Sequence, residues 1–227
     1  MKNLCIIPAR GGSKRIPRKN VKPFLGKPMV AYSIENALST GLFEEVMVST
    51  DDLEIVDVAI QYGASVPFLR SETTANDYAT LADVISEVLD MYCKQGKRFD
   101  NVCLLLATSP LLEYKSIIDA YNKLLASKYT TILPVVQFSY PILRSYSMDE
   151  EGGINWNWPE YSKSRSQDLP LAYHDSGTFY WHKVKPWLEG KRSRGGIVVD
   201  ESTVQDIDTE QDWKMAETKY KFLKGIL

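Results

Sequence analysis

Leu4 to Lys22 reads L-C-I-I-P-A-R-G-G-S-K-R-I-P-R-K-N-V-K. The first four residues are apolar and partly β-branched, as a short buried strand requires, and Pro8 stops the run. The next residues are glycine-rich and cationic: Arg10, Gly11, Gly12 and Ser13, then Lys14, Arg15, Arg18, Lys19 and Lys22, with no acidic residue before Glu35. Glycines let backbone N–H groups come close to an anion, and arginine and lysine add charge-assisted hydrogen bonds. A strand feeding such a loop is a way to hold a polyphosphate. The spacing matches neither G-x-x-x-x-G-K-[ST] nor G-x-G-x-x-G. A solvated basic turn and a nucleic-acid patch are the competing readings. A net charge of −2 and the lack of a second basic stripe weigh against nucleic acid.

Outward from this loop, 227 residues fit one α/β domain with room for an appended arm. The hydrophobic share of 44% and charged share of 25% exclude disordered and fibrous classes. Cys5, Cys93 and Cys103 are odd in number, unclustered and flanked by apolar residues, which points to a reduced cytoplasmic protein without a zinc site. No signal-peptide pattern opens the chain and no apolar run is long enough to span a membrane, so no membrane partner is expected.

The remaining periodicity alternates strand and helix. A helix is expected from Pro28 to Ser39, then a strand from Glu45 to Thr50 ending in Asp51 and Asp52, either of which can cap the following helix. That helix has Leu53, Val56, Ala59 and Ile60 as its expected apolar face and Gly63 as its stop. Ser65–Leu69 reads as a short strand before Arg70, Leu81–Tyr92 as a helix, and Val102–Leu106 as a central strand followed by T-S-P-L-L. Ser116–Ala126 is helical and Thr131–Val136 strand-like. This order predicts a mostly parallel sheet covered on both faces, with the N-terminal loop, the Arg70 loop and Thr108–Ser109 converging at one edge.

Three later stretches can carry chemistry. Residues 138–170 are irregular and rich in Pro, Tyr, Trp, Asn and Ser, with I-N-W-N-W as an exposed strand. Trp156 and Trp158 then cover either a partner, most simply a second copy, or this chain's own core. Tyr173-His174-Asp175-Ser176-Gly177 precedes a strand from Thr178 to Trp181, and Ile197–Val199 adds another. The adjacency of His174, Asp175 and Ser176 is not the spacing of a nucleophile triad. A structural turn and recognition of substrate hydroxyls both remain open there. In Val204-Gln205-Asp206-Ile207-Asp208-Thr209, an extended backbone puts Asp206 and Asp208 on one side and Ile207 in the core. Two such carboxylates suit Mg²⁺, while Thr209-x-x-Asp212 forms a capping box for the last helix.

Together, I-P-A-R-G-G-S-K-R-I-P-R-K-N, V-S-T-D-D, V-P-F-L-R-S-E, T-S-P-L and D-I-D-T-E resemble, in order and along the whole chain, the cytidylyltransferases that activate nine-carbon α-keto acid sugars, the CMP-sialic acid synthetases and their relatives. The family commonly carries L-L-Q-P-T-S-P-L-R, whereas this chain has Leu106-Ala107 before Thr108 and Leu112 where the Arg would stand. Arg165 to Trp181, R-S-Q-D-L-P-x-A-Y-H-D-S-G-x-F-Y-W, is similar to the branch that uses pseudaminic acid. The resemblance implies a Rossmann-like three-layer nucleotidyltransferase sandwich, one domain over residues 1–227, with 138–170 as an arm for dimerisation and the sugar site. It implies a cytoplasmic homodimer joining CTP to pseudaminic acid in a Mg²⁺-dependent reaction, for a bacterial surface glycan. Arg10, Gly11, Gly12, Ser13, Lys14 and Lys19 would hold the triphosphate, and Asn20, Arg70 and the backbone at Ala79 the nucleoside. Arg165, Gln167, Tyr173, His174 and Asp175 would meet the sugar, and Asp206 and Asp208 the metal. Arg10, Lys19, Asp206 and Asp208 would carry catalysis. Sialic or legionaminic acid as substrate, and a CTP-binding module without catalysis, are the alternatives.

Overall fold

The computed structural model describes residues 1–226. Asn3–Pro8 forms β1, and the basic loop after it leads into a small hairpin of β2 (Pro23–Phe24) and β3 (Lys27–Pro28). The hairpin turns through Leu25 and Gly26, both at positive φ, as a tight two-residue turn demands. Helix α1 (Met29–Ser39), strand β4 (Glu45–Ser49) and helix α2 (Leu53–Gln61) come next. Then come α3 (Glu72–Ala75), α4 (Leu81–Lys94), β5 (Asn101–Leu105), α5 (Tyr114–Ala126) and β6 (Thr131–Gln137). An exposed ribbon of β7 (Tyr146–Met148) and β8 (Ile154–Trp156) precedes β9 (Tyr173–Asp175), β10 (Phe179–Lys183), α6 (Val184–Leu188), β11 (Arg194–Val198) and α7 (Glu210–Lys224).

The main sheet runs β11-β6-β10-β5-β1-β4. β1 pairs in parallel with β4 and β5, and β11 with β6, whereas β10 is antiparallel to both β5 and β6. β9 also runs antiparallel along β6, so β9 and β10 form one run along β6 broken at Gly177 (φ 64°), after which β10 pairs with β5 as well. Period-two alternation divides the core into two layers. Cys5, Ile7, Cys103 and Leu105 pack with α1, α2 and α5, while Leu4, Ile6, Val102 and Leu104 pack with α4. The expected mostly parallel three-layer α/β sandwich is the observed one.

A third, smaller core positions the functional segments. Ile16 from the basic loop, Phe24, Met29 and Tyr32 bury against Ile207, Trp213 and Ala216. Phe24 lies edge-on to Tyr32, Trp213 and Tyr220, and the Tyr32 hydroxyl donates to the Phe24 carbonyl oxygen at 2.7 Å. The start of the chain is thereby packed against its last helix, which begins with the expected Thr209–Asp212 capping box.

Four local expectations are corrected. The buried face of α2 is Ile55 and Ala59, while Leu53 and Ile60 are 69% and 59% exposed, because only a narrow stripe of this edge helix reaches α1 and the sheet. Ser65–Leu69 is not a strand; Ser65 alone bridges to Met47. Pro67 has no N–H to give a ladder at that sheet edge. Cys93 is exposed rather than enclosed in apolar surroundings, since it faces outward on α4. Tyr173–Asp175, expected as a mouth ahead of the strand, is itself a strand.

Asp52 caps α2, accepting from the Glu54 and Ile55 N–H groups, and Arg18 binds Asp52 and Glu54 from the basic loop. Pairing with Arg18 holds the Asp52 carboxyl below its ordinary pKa. Its contribution to stability is therefore present above the unfolded carboxylate pKa and is lost as pH falls through the depressed folded value. Arg18→Gln should cost about 1 kcal/mol in urea unfolding at neutral pH. That difference from the parent protein should close in acid, and a gap unchanged at low pH would show that Arg18 acts by packing instead.

Candidate active site

Parallel strands β1, β4 and β5 deliver their loops to one edge of the sheet, and those loops enclose a cleft of about 470 Å³. Arg10, Ser13, Lys14, Lys19, Asn20, Arg70 and Ala79 all line it, together with Leu81, Leu106, Ala107 and Thr108. Ser109 is buried behind them. The cleft is open and strongly cationic on its β1 side, and lined by Leu and Ala from the β5 turn.

Carboxylates from other segments hold the basic loop in shape. The Gly11 N–H donates to Asp51 Oδ1 at 3.0 Å, so it is engaged by protein in this structure. A Cβ at Gly11 would lie 2.5 Å from Asp52 Oδ2 and 2.9 Å from its Cβ, and the close approach of the α2 cap therefore requires glycine. Gly12 faces open space. Asn20 Nδ2 donates to the Arg10 carbonyl oxygen at 2.9 Å and closes the loop on itself. Arg70 N–H donates to the Thr50 carbonyl oxygen at the end of β4, and its guanidinium donates to the Thr74 carbonyl oxygen. Burial pushes the Arg70 pKa down against the pull of Asp51 and Glu87, and its buried Nε has no partner among the described residues. A half-buried cation with an unused donor beside a cleft is suited to a polar ligand.

The D-I-D segment joins this loop from the far end of the chain. Lys19 Nζ donates to the Ile207 carbonyl oxygen at 2.6 Å and stands 3.6 Å from Asp208 Oδ1, while Arg15 NH1 lies 2.9 Å from Asp208 Oδ2. Ile207 is fully buried, as its alternation requires. Asp206 lines a second cleft, of about 310 Å³, with His174, Asp175, Glu201 and Lys219. Burial, and then the neighbouring Asp208, raise the Asp206 pKa. Among the described residues, no three His, Cys, Asp or Glu side chains form a metal-holding group. The pair nevertheless fits Mg²⁺: two adjacent carboxylates repel one another, and Mg²⁺ takes one or two carboxylates and fills its shell with water and phosphate oxygens.

The other expected residues are spread more widely. Asp175 Oδ1 accepts from the Gly177 N–H at 2.8 Å and fixes the β9–β10 break, and His174 packs on Phe138 beside it. Tyr173 is exposed on the same strand. Arg165 pairs with Asp168 on the arm at 3.0 Å, and Gln167 lines a separate hollow with Phe138 and Leu171, so neither reaches the cationic cleft of its own chain. Trp156 is half-covered by Tyr146 and by the Arg144 guanidinium of the same arm, which corrects the reading of it as simply exposed. Three participants went unassigned in the sequence: Arg15, Asp51 and Asp77. Asp77 Oδ1 binds Arg10 NH1 at 2.7 Å and its Oδ2 binds Lys14 Nζ at 2.5 Å. Only its place two residues before Ala79 hinted at that position.

A family model described as Cytidylyltransferase matches residues 4–154. The pseudaminic acid cytidylyltransferase of Campylobacter jejuni is 45% identical over 225 residues, covering 97% of each chain. The CMP-N,N'-diacetyllegionaminic acid synthase of Legionella pneumophila is 35% identical, covering 96% of this chain and 95% of that one. The solved structure of CMP:2-keto-3-deoxy-manno-octonic acid synthetase complexed with CTP superposes with a TM-score of 0.70 at 16% identity, covering both chains fully, and so shares the fold. The chain belongs to the cytidylyltransferase family and is a nucleotidyltransferase. Among the described residues, no helix is long and apolar enough to cross a membrane.

Proposed function

We propose that this cytidylyltransferase joins CTP to pseudaminic acid, giving CMP-pseudaminic acid and pyrophosphate. The observation that carries the reading is the end-to-end 45% identity with the Campylobacter jejuni enzyme, in a chain whose D-I-D segment bonds to the basic loop that lines the cationic cleft. Arg10, Lys14 and Lys19, with Ser13 and the Gly11–Gly12 turn, receive the triphosphate in this reading. Asn20, Arg70 and the backbone at Ala79 take the ribose and cytosine. The anomeric hydroxyl of the sugar attacks the α-phosphorus in line and pyrophosphate leaves on the opposite side, so positioning and charge neutralisation do most of the work.

Lys19 is held by the Ile207 carbonyl and needs little rearrangement to face charge growing on the leaving group. Asp206 and Asp208 would hold Mg²⁺, which when bound neutralises phosphate charge and makes the attacking hydroxyl easier to deprotonate. His174 and Asp175 line the second cleft beside Asp206, with Tyr173 preceding them on β9, and this is the place for the sugar in this reading. In this proposal the 138–170 arm is the dimerisation element of a single catalytic domain, and Arg165 and Gln167 on it serve the sugar site of a cytoplasmic homodimer.

The test is pyrophosphate release from CTP and Mg²⁺ with pseudaminic, N-acetylneuraminic and legionaminic acids in parallel. Release with pseudaminic acid alone is expected. Release with another of these sugars instead would replace the substrate, and CTP binding without release would support a non-catalytic module. Asp208→Ala should lower turnover at least about a hundredfold at saturating Mg²⁺. It should leave the circular dichroism and thermal midpoint near those of the parent, because Asp212 rather than Asp208 closes the α7 capping box. Near-normal turnover would remove Asp208 from the catalytic set.

A further inference from the structure

We infer that Asp77 is a resident counter-anion of the phosphate subsite: it holds Arg10 and Lys14 in the free enzyme, gives them up to an entering triphosphate and recaptures them as pyrophosphate leaves. The inference rests on the reading of the cleft as a CTP site. Asp77 lines the same cleft as both cations and gives one carboxylate oxygen to each. The two cations come from the β1 loop, and Asp77 comes from the segment between α3 and α4, so the contact ties two walls of the cleft together. Proximity to Lys14 and Arg10 holds the Asp77 carboxyl below its ordinary pKa, so it is charged at neutral pH.

The segment that carries Asp77 is shaped independently of this contact. Asn76 Oδ1 accepts from the N–H groups of Tyr78 and Ala79, and Thr80 then caps α4 with Asp83. Loss of the Asp77 ion pairs therefore leaves the turn and the Ala79 wall standing. A phosphate chain and the carboxylate cannot share the two cations, since like charges at that separation repel. The more highly charged phosphate chain displaces the carboxylate, and the displacement weakens its binding by a fixed factor. That factor applies equally to every ligand that needs Arg10 and Lys14, which includes pyrophosphate as well as CTP. CMP lacks the phosphate chain that Arg10 and Lys14 receive in this reading, so the factor does not apply to it. Asp77 thus lowers affinity for ligands with a phosphate chain relative to CMP, and weakens the hold on the pyrophosphate product at the same cost to CTP.

Isothermal titration of CTP, pyrophosphate and CMP into the parent protein and Asp77→Asn, at fixed Mg²⁺, tests this. Losing two exposed ion pairs should tighten CTP and pyrophosphate by the same factor, about fivefold, with CMP unchanged. Asp77→Glu, which keeps the charge, should stay near the parent. A merely structural Asp77 would move CMP as much as pyrophosphate. Unchanged or weaker CTP and pyrophosphate binding, or an equal shift in CMP, would overturn the assignment. If the parent binds neither CTP nor pyrophosphate, the reading of the cleft falls and the inference with it. If the parent binds both and the variant is unaltered, the inference alone falls.

Discussion

Lys19 is where the two ends of the chain meet. Its ammonium donates to the carbonyl of Ile207, 188 residues away, and stands beside Asp208. The bond is sheltered by the small core in which Ile16 and Ile207 are both fully buried. Each isoleucine sits among charged neighbours, Lys14, Arg15, Arg18 and Lys19 on one side and Asp206 and Asp208 on the other. Burying the two apolar residues together brings those opposite charges to one place. Hydrophobic burial sets the position, and the hydrogen bond sets the register. Aromatic packing of Phe24 against Trp213 extends the same junction.

Concentrating cations on one loop is costly through mutual repulsion, and the fold offsets it with carboxylates drawn from elsewhere. Arg18 binds Asp52 and Glu54 beneath the loop, Arg15 binds Asp208, and Arg10 and Lys14 bind Asp77. These pairs differ in permanence. Arg18–Asp52 is partly buried and coupled to the cap of α2, so it belongs to the scaffold. The pairs at Asp77 and Asp208 lie open at the cleft. The same charges that hold the loop in shape are the ones an anionic ligand and a cation would exchange. In the proposed function these carboxylates preorganise the cations for a phosphate chain.

Much of this was legible in the sequence where periodicity or alternation had a single physical meaning. The apolar runs of β1 and β5, the amphipathic α4 and α5, the capping box of α7 and the inward turn of Ile207 derive from local residue patterns. The resemblance of the basic loop and D-I-D segment placed the family. Reading failed where tertiary context decides. The exposed ends of α2 carry Leu53 and Ile60 beyond the edge of the core, which a helical wheel cannot see. β9 is made of Tyr, His and Asp and is held by backbone pairing with β6, so its side chains carry no strand signal. The ion pairs of Asp77 and Arg15 join residues far apart in sequence, and no local pattern announces them.

In the proposed function the basic loop and the D-I-D segment make one nucleotide and metal site. A crystal structure of the complex with CTP and Mn²⁺ tests it most directly, because the anomalous signal of manganese locates the metal without assumption. The triphosphate is expected along Arg10, Lys14 and Lys19, cytosine against the backbone at Ala79, and the manganese peak between Asp206 and Asp208. A triphosphate bound outside this cleft, or a metal held by neither aspartate, would contradict it.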